Sequence, residues 1–516
     1  GFTPTELERQ KADLLRSAEQ AAREADKVRS DRLAGRLVSH FLKDEPIPGA
    51  AQRLDLYRDL LPAIRLEEIN RLAAGWLSTS RPAIIVTGPE KTETPLPGRA
   101  SLLALLEEVE KQQLEPYRDE VSDAPLFSRE LEPVHIQLQQ AYQALDVREY
   151  RLANGVRVIL KPTDFQNDEI LMSAFSPGGH SLYGRADYQS ASNAAAIVNL
   201  SGVGDFSLPE LQKKLAGKEV NTGPYIDVLY EGINGSSASQ DLELLLQLTY
   251  LYFTRPRSDS IALASFLTRQ RSIVENMYDN PYYYFAALKN QIKYDGHYRR
   301  QMTTMEDLSA ISLDRALAVY RDRFADAGDF TFVFVGNFQE AALLPLLQRY
   351  LGNLPATRRE ESWKDVGAEL ADGRIDTAIV RGQAPKALVE MTFHGDFDYR
   401  QNQKRYDFYS MLDVLRIRLR ETMREDQGAV YGVRLNGFLQ QHPAGRYRIT
   451  LSFNAEPAEA EPLIATALQE IEKLASEGPG EAVIQKVRET QLQSRLKAVE
   501  ENSFWLGQLT ARYREE

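Results

Sequence analysis

The chain has 516 residues, of which 43% are hydrophobic and 26% are charged, and its net charge is -12. A chain of this length exceeds a single hydrophobic core and is expected to form about three or four domains. The negative charge argues against nucleic acid and anionic membrane surfaces as partners, and the absence of cysteine excludes disulfide bonds, thiol nucleophiles and cysteine-bound zinc.

The first hundred residues are predicted to be helical up to a single strand. Helical patterns cover residues 5–45 and 54–77, and the apolar run over 81–89 ends in turn residues and indicates a strand. The sequence opens on the capping pattern Thr3-Pro4-Thr5-Glu6 without a leader segment, and its final residues still have a helical pattern. We therefore expect both ends of the chain to lie within domains.

The middle of the chain is predicted to alternate strands and helices. Residues 101–147 are rich in Pro, Glu and Gln and are predicted to be a linker. The Asn154-Gly155 pair then joins two strand-like runs as a hairpin turn. Further strands are predicted at 169–176 and 227–236, and helices at 189–200, 240–253 and 261–290.

The last part of the chain shows a similar succession of elements. A strand is predicted at 387–398, a helix at 403–423, a hairpin at 430–438 and 447–453, and helices at 458–476 and 481–512.

The chain contains an internal repeat. Ile64 is matched by Ile311, 247 residues later, and Gly88 by Gly336, 248 residues later, each pair in a helix-then-strand pattern. A near-constant separation indicates a duplicated domain. We therefore predict an α+β fold of repeated domains, each with a mixed, largely antiparallel sheet packed against helices, in one partial and two largely complete units.

Four segments make the chain resemble the pitrilysin/insulinase family of zinc metallopeptidases, the inverzincins. They are the sequence from Arg424 to Tyr431, the opening from Glu149 to Val156, the helix-strand endings at Gly88 and Gly336, and the segment from Val274 to Pro281. The resemblance covers nearly the whole length and matches the carboxyl-terminal half of a large bacterial member.

The resemblance implies a clamshell of four α+β domains that closes around a peptide. It assigns residues 1–100 to the carboxyl-terminal part of the second peptidase-like domain. Residues 148–355 become a third, degenerate domain, and residues 366–516 a fourth domain that is expected to be truncated at its end.

The zinc motif of this family is absent from the sequence. The family uses His-x-x-Glu-His, in which two histidines on one helix face bind zinc and the glutamate activates water, together with a distal Glu ligand. No two of the six histidines are four residues apart, and each is expected to be a surface or structural residue. They are His40, His135, His180, His297, His394 and His442.

The corresponding motif positions hold no zinc ligands. Alignment on Gly202 places these degenerate positions at Asn193, Ala196 and Ile197. The distal-ligand region, residues 261–274, has no carboxylate, and Glu275 is expected to be structural. We therefore expect no catalytic residue and no metal in this chain, and the resemblance implies a zinc ion in the missing half of the parent protein.

The resemblance assigns Arg424 and Tyr431 to substrate contact across the clamshell. Arg on a helix and Tyr in a strand are most often a solvated residue and a half-buried sheet residue. Because both match the family pattern at its spacing, we favour their role as donors that stabilise a developing oxyanion. For the cluster Tyr282 to Tyr284, packing between helices is favoured over lining of a peptide chamber.

Two functions follow from these observations. In the first, the chain is the non-metal-binding half of a zinc endopeptidase, predicted inactive alone, with peptides or unfolded proteins as substrates and the amino-terminal catalytic half as partner. In the alternative, the parent is a non-catalytic clamshell scaffold or peptide-binding protein. The resemblance places the protein in the periplasm, and no apolar run reaches the ~18 residues of a membrane span. A phosphate loop and a Gly-x-Ser-x-Gly nucleophile elbow are both absent.

Overall fold

The structure is a computed structural model, and it describes every residue except 78–82, 88–95, 114, 116, 120, 121, 123, 278, 279, 427–431 and 516. The chain divides into two compact units. The first comprises Gly1–Leu126 with Pro209–Val220, and the second comprises Phe127–Leu208 with Asn221–Glu516.

The first unit is helical in its described part. Its helices are α1 (Pro4–Arg23), α2 (Ser30–Lys43), α3 (Ala50–Leu60), α4 (Leu66–Leu77) and α5 (Arg99–Lys111). Thr3 and Glu6 form the predicted capping box at the start of α1. Asp119 accepts hydrogen bonds from Arg9 (2.6 Å) and Thr5 and lies 2.7 Å from Lys213. These contacts hold the pKa of Asp119 well below its usual range and fasten α1 within the unit.

The strand predicted over 81–89 is not formed in its described part, and this prediction was wrong. Residues 83–87 have neither helical nor strand structure. A strand needs a hydrogen-bonded neighbour, and the described part of the first unit offers none to pair with residues 83–87.

The second unit contains a seven-stranded mixed sheet. Its strands are β1 (Ile136–Tyr142), β2 (Val147–Leu152), β3 (Arg157–Pro162), β4 (Ile170–Pro177), β5 (Val220–Ile226), β6 (Tyr230–Ser237) and β7 (Thr331–Gly336). The order is β1-β2-β3-β7-β4-β6-β5, and β3 and β7 run parallel to each other. The Asn154-Gly155 turn joins β2 to β3 as predicted, with Gly155 at a φ of 97°.

Strands β1 and β5 were not predicted from the sequence. Strand β1 lies in the tract predicted to be a linker, which also contains α5, and six of its seven residues are exposed. Strand β5 contains Gly223 and Pro224, which disfavour strand structure. Strand β5 lacks the apolar alternation that marks a half-buried strand, whereas in β1 the alternation of Ile136 and Leu138 with glutamines was a signal that the linker prediction passed over.

The helices that follow along the chain are α6 (Tyr188–Ser201), α7 (Leu208–Lys214), α8 (Leu242–Thr254), α9 (Ser260–Met277), α10 (Pro281–Lys293), α11 (Met305–Ser309), α12 (Leu313–Arg323) and α13 (Glu340–Tyr350). Helix α7 lies mostly in the first unit, and α8 packs against β6 of the seven-stranded sheet. All six residues of β7 are buried, and α6 packs against α12. The core is rich in aromatic residues, with the ring of Phe253 in contact with Phe324 and Phe330.

A second, three-stranded sheet follows in the same unit. Its elements are β8 (Ala387–Asp396), α14 (Asn402–Arg420), β9 (Val433–Gln440), β10 (Arg446–Ala455) and α15 (Ala460–Glu477), as predicted within a few residues. The antiparallel order β8-β10-β9 repeats the order β4-β6-β5 of the larger sheet. Helix α14 therefore stands in the chain where α6 stands in the larger copy.

The helix predicted over 481–512 is in fact two helices, α16 (Glu481–Ala498) and α17 (Asn502–Arg514). The break lets Asn502 accept a hydrogen bond from Thr163 Oγ1 (2.5 Å) and donate one to Glu169 (2.8 Å). Helix α17 then buries Leu509 and Tyr513 against the seven-stranded sheet. Among the described residues, no helix combines the length and the apolar character needed to cross a bilayer.

Candidate functional site: a degenerate motif helix and a peptide-contact segment

Helix α6 carries the three degenerate motif positions. Asn193 is half-buried, and its Nδ2 donates to the carbonyl of Gln189 at 2.8 Å. Ala196 is exposed, whereas Ile197 is buried in the core with 2% of its surface accessible. An amide bound to its own helix, a methyl group and a buried alkyl chain do not provide zinc ligands.

The position of α6 is nevertheless closely defined. Asp187, just before the helix, accepts hydrogen bonds from Nε and Nη2 of Arg315 at 2.6 and 2.7 Å. Gln189 donates to Asp307 at 2.6 Å. At the other end, Gly202 has a φ of 89°, and a Cβ atom there would lie 2.2 Å from the carbonyl oxygen of Phe206. The helix is thus held in place by its neighbours, independently of any metal.

The most buried histidine near this helix is also not a metal site. His180 Nδ1 lies 2.9 Å from Arg299 Nη1, and the ring meets Tyr188 edge-on. Burial, and then the charge of Arg299, lower the pKa of His180 to about 4, so the imidazole is neutral at pH 7. Within the part of the chain that the structure describes, no cluster of three or more His, Asp or Glu side chains fits a metal ion.

The predicted peptide-contact segment begins where α14 changes from an α-helix to a π-helix. Residues Glu421–Asp426 continue α14 as a π-helix, which is rare and often occurs at functional sites. Arg424 belongs to this turn, but its side chain lies outside what the structure describes. Tyr431 falls within 427–431 and also lies outside the described residues.

Both ends of this segment are attached to the core of the three-stranded sheet. Leu419 and Met423 are completely buried, so Arg424 directly follows an anchored residue. On the far side, β9 begins at Val433, which pairs with Phe453 of the central strand. The core therefore fixes the two points between which residues 424–432 run.

Two arginines hold the last turns of α14 on opposite sides. Arg416 donates to the carbonyl of Leu435 in β9 at 3.0 Å. Arg418 donates to Glu470 of α15 at 3.2 Å. The end of α14 is therefore tied to a strand and to a helix before the π-helix begins.

Sequence reasoning missed a buried ionic cluster next to α6. Arg323 and Glu231 are 2% and 1% exposed, and Arg323 forms a two-pronged pair with Glu361 at 2.9 Å for each contact. Glu231 accepts a hydrogen bond of 2.5 Å from the Gly179 amide, and burial raises its pKa to about 8. A glutamate flanked by Tyr230 and Gly232 in a predicted strand was the available signal for this cluster.

The comparisons with known proteins agree with this geometry. Residues 310–491 match the model of the peptidase M16 inactive domain. The chain is 24% identical over 531 residues to the zinc protease PQQL-like of Arabidopsis thaliana, a match that covers 99% of this chain and 53% of that protein. The chain spans about half the length of the curated relatives that it matches most fully.

Solved structures give the same result for the fold. The periplasmic protease PqqL from Escherichia coli matches with a TM-score of 0.68 and 20% identity, over 98% of this chain and 56% of that one. The ferredoxin protease FusC, solved in complex with Arabidopsis ferredoxin, matches with a TM-score of 0.67 and 18% identity, over 99% of this chain and 57% of that one.

These findings define the class first: an α+β chain whose residues 310–491 match the model of the peptidase M16 inactive domain and whose fold is like that of solved proteases. More particularly, the chain is similar to the PqqL-like zinc proteases along nearly its whole length. The predicted resemblance to the pitrilysin/insulinase family and the predicted α+β fold class are confirmed.

Proposed function

We propose that this chain is the non-metal-binding half of a zinc-dependent endopeptidase that encloses and cleaves peptides. The observation that carries the proposal is helix α6, which hydrogen bonds to Arg315 and Asp307 hold in a defined position while its motif positions hold Asn193, Ala196 and Ile197. In this proposal the zinc ion belongs to the amino-terminal half, and the present chain supplies chamber wall and substrate contacts.

Arg424 and Tyr431 are the proposed contacts to the substrate. A guanidinium group and a phenol both donate hydrogen bonds, and such donors stabilise the negative charge that develops on a carbonyl oxygen during peptide hydrolysis. The π-helix and the buried Met423 support this role, because they fix the backbone from which Arg424 projects.

The substrates of the proposed enzyme are peptides or unfolded proteins. The proposed compartment is the periplasm, because the similar PqqL protease of Escherichia coli is periplasmic. The proposed partner is the amino-terminal half of the same protein, since the curated relatives are about twice as long as this chain.

A non-catalytic scaffold is the second candidate. It is favoured by the same absence of metal ligands at the described motif positions. A His-x-x-Glu-His sequence with a distal Glu in the preceding polypeptide distinguishes the enzyme from the scaffold, because only the enzyme needs a zinc-bound water.

The substrate-contact role is tested by Arg424→Ala in the full-length protein. Loss of one donor to the oxyanion is expected to lower kcat by roughly 100-fold or more with a smaller effect on KM. The matched control is Arg488→Ala, which removes an exposed arginine from α16 and is expected to leave kcat within a factor of about two. An unchanged kcat for Arg424→Ala in a correctly folded protein would show that this residue does not stabilise the transition state.

A further inference from the structure

The three-stranded sheet of the second unit has a covered face and an open face. On the covered face, Leu435, Leu451 and Phe453 are buried in the core formed with α14 and α15. Gly437 belongs to the same face, because a Cβ atom there would lie 2.1 Å from Leu412 of α14. Successive side chains of a strand point to opposite faces, so the residues between these lie on the open face.

The charged residues on the β8 side of the open face have partners. Glu390 of β8 accepts hydrogen bonds from Lys289 at 2.7 Å and from Lys293 at 3.0 Å, and both lysines belong to α10. At the hairpin end of the sheet, Arg446 of β10 pairs with Asp396 of β8. Helix α10 therefore covers this side, and its charges are balanced.

The β9 side of the open face is exposed. Strand β10 separates β9 from β8, and Arg434, Asn436 and Phe438 of β9 are all exposed on this face. Arg448 of β10 lies opposite Phe438, and its guanidinium carbon is 5.7 Å from the centre of the phenyl ring. Arg448 also donates to the hydroxyl of Tyr294 at 2.9 Å. We call Arg434, Asn436, Phe438 and Arg448 the open strip.

The positive charge of the open strip is not balanced. Among the described residues, no Asp or Glu lies within ion-pair distance of Arg434 or Arg448. Glu390 is in the same cross-strand row as Arg434, with Ser452 between them, but two lysines already bind it. The whole chain has a net charge of -12. An unbalanced positive strip in an acidic chain is complementary to negatively charged groups of a ligand.

The open strip continues from the segment that carries the proposed substrate contacts. Strand β9 begins at Val433, directly after residues 424–432. Arg434 follows Tyr431 by three residues, and three residues of chain span at most about 11 Å. About three residues of an extended peptide cover the same distance. A substrate held by Tyr431 would therefore have residues near its cleaved bond within reach of Arg434.

We propose that the open strip is a substrate subsite in which Arg434 binds an acidic side chain of the peptide, within about four residues of the cleaved bond. The exposed amide of Asn436 and the ring of Phe438 extend this contact along the peptide. The proposal rests on the proposed function for the presence of a peptide. It adds a preference for Glu or Asp that Arg424 and Tyr431 do not confer, because their proposed target is a carbonyl oxygen that every peptide bond has.

A matched series of peptides tests the subsite in the full-length protein. The peptides are acetylated and amidated at their ends and are uncharged except for a single Glu, which is replaced by Gln in the matched peptide. The Glu is placed in turn at each position within about four residues of the cleaved bond. At one or more positions, kcat/KM is expected to be about three- to tenfold higher for Glu than for Gln, as for a charge-assisted hydrogen bond at an exposed site.

Substitutions of Arg434 identify the residue responsible. Arg434→Gln is expected to abolish the difference between Glu and Gln peptides, and Arg434→Glu is expected to favour a Lys peptide instead. The matched control is Arg488→Gln, which removes the same charge from α16, a helix that packs against α14 on the covered side. This control is expected to keep the difference. Equal kcat/KM for Glu and Gln at every position, or a preference that survives Arg434→Gln, would overturn the subsite.

Binding without cleavage separates this inference from the proposed function. Calorimetry with the full-length protein in a chelator is expected to give a Kd about three- to tenfold lower for the Glu peptide than for the Gln peptide. The difference is expected to disappear in Arg434→Gln and in about 1 M NaCl, which screens exposed charges. A protein that shows this difference but cleaves no peptide would refute the peptidase and keep the subsite. A protein that cleaves peptides without distinguishing Glu from Gln would refute the subsite and keep the peptidase.

Discussion

Arg323 is a buried charged residue on which the stability of the second unit is expected to depend. Its guanidinium group pairs with Glu361 and lies 3.6 Å from Glu231. Its Nε donates a hydrogen bond of 3.1 Å to the hydroxyl of Tyr183. Glu361 lies in the irregular segment between the two sheets. Asp326 holds the same segment through Thr357, whose amide and hydroxyl donate to it at 3.0 and 2.8 Å. The cluster therefore fastens this segment to α12 and its surroundings.

Replacing Arg323 by Met is expected to destabilise the second unit strongly. The substitution removes the buried donor of the two-pronged pair with Glu361 and of the hydrogen bond to Tyr183, and each buried polar group left without its partner costs about 1–3 kcal/mol. Arg321→Met, at an exposed arginine of the same helix, is expected to change the free energy of unfolding by no more than about 0.5 kcal/mol. Denaturant titration measures the free energy of unfolding of both variants. Equal values for Arg323→Met and Arg321→Met would show that the cluster contributes little to stability.

His180 is expected to make stability depend on pH in the acidic range. Its pKa is about 4 when folded, against an ordinary value near 6.5, so between these values the unfolded chain binds a proton that the folded chain does not. The contribution is present above pH 6.5 and is lost as the pH falls towards 4. Its upper limit is about 3–4 kcal/mol, since each pKa unit corresponds to about 1.4 kcal/mol.

The measurement is the free energy of unfolding between pH 7 and pH 4.5. His180→Gln is expected to show a smaller decrease over this range than the wild type, because the glutamine does not titrate. His135→Gln, at an exposed histidine, is expected to keep the wild-type decrease. The same decrease in the His180→Gln variant would mean that other groups cause it.

At the scale of elements, helices and strands were predicted correctly where the local sequence signal was strong. The Asn154-Gly155 turn predicted the β2-β3 hairpin, and the hairpin predicted over 430–438 and 447–453 corresponds to β9 and β10. Strand β1 was missed because its short alternation of Ile136 and Leu138 with glutamines lies in a tract rich in Pro, Glu and Gln, and its pairing with β2 supplies the order. Residues 83–87 show the opposite error, because they were predicted to be part of a strand and do not form one. A segment with a strand pattern needs a neighbouring strand with which to form hydrogen bonds.

The parts of the candidate site differ in how far they could be predicted from the sequence. The α6 motif positions were located on a real helix because the trailing Gly202 ends it at a positive φ. The change of α14 to a π-helix could not be predicted, because it depends on burying Met423 in a core built from distant strands. The roles of Arg424 and Tyr431 stay predictions.

The break between α16 and α17 depends on contacts that a sequence pattern does not reveal. Asn502 bridges Thr163 and Glu169, more than 330 residues away in the chain. Asn502→Ala is expected to lower the free energy of unfolding by about 1–3 kcal/mol, because both partners lose a hydrogen bond near the core. Gln508→Ala, at an exposed position of α17, is expected to change it by about 0.5 kcal/mol or less. Thermal or denaturant unfolding of the two variants decides whether this contact positions α17.

At the scale of the whole molecule, we propose that this chain is the counterpart of a metal-binding half in a longer parent protein. Its match to the M16 inactive domain and its similarity to PqqL-like zinc proteases agree with that division of roles.

The most direct test compares zinc content and peptide cleavage in three samples: this chain, the amino-terminal half, and the two mixed. The account predicts no stoichiometric zinc and no cleavage for this chain alone, one zinc per amino-terminal half, and cleavage that appears or rises strongly on mixing. One bound zinc per molecule of this chain, or cleavage by this chain alone, would contradict the account. Zinc-free, inactive mixtures of correctly folded halves would instead favour the scaffold.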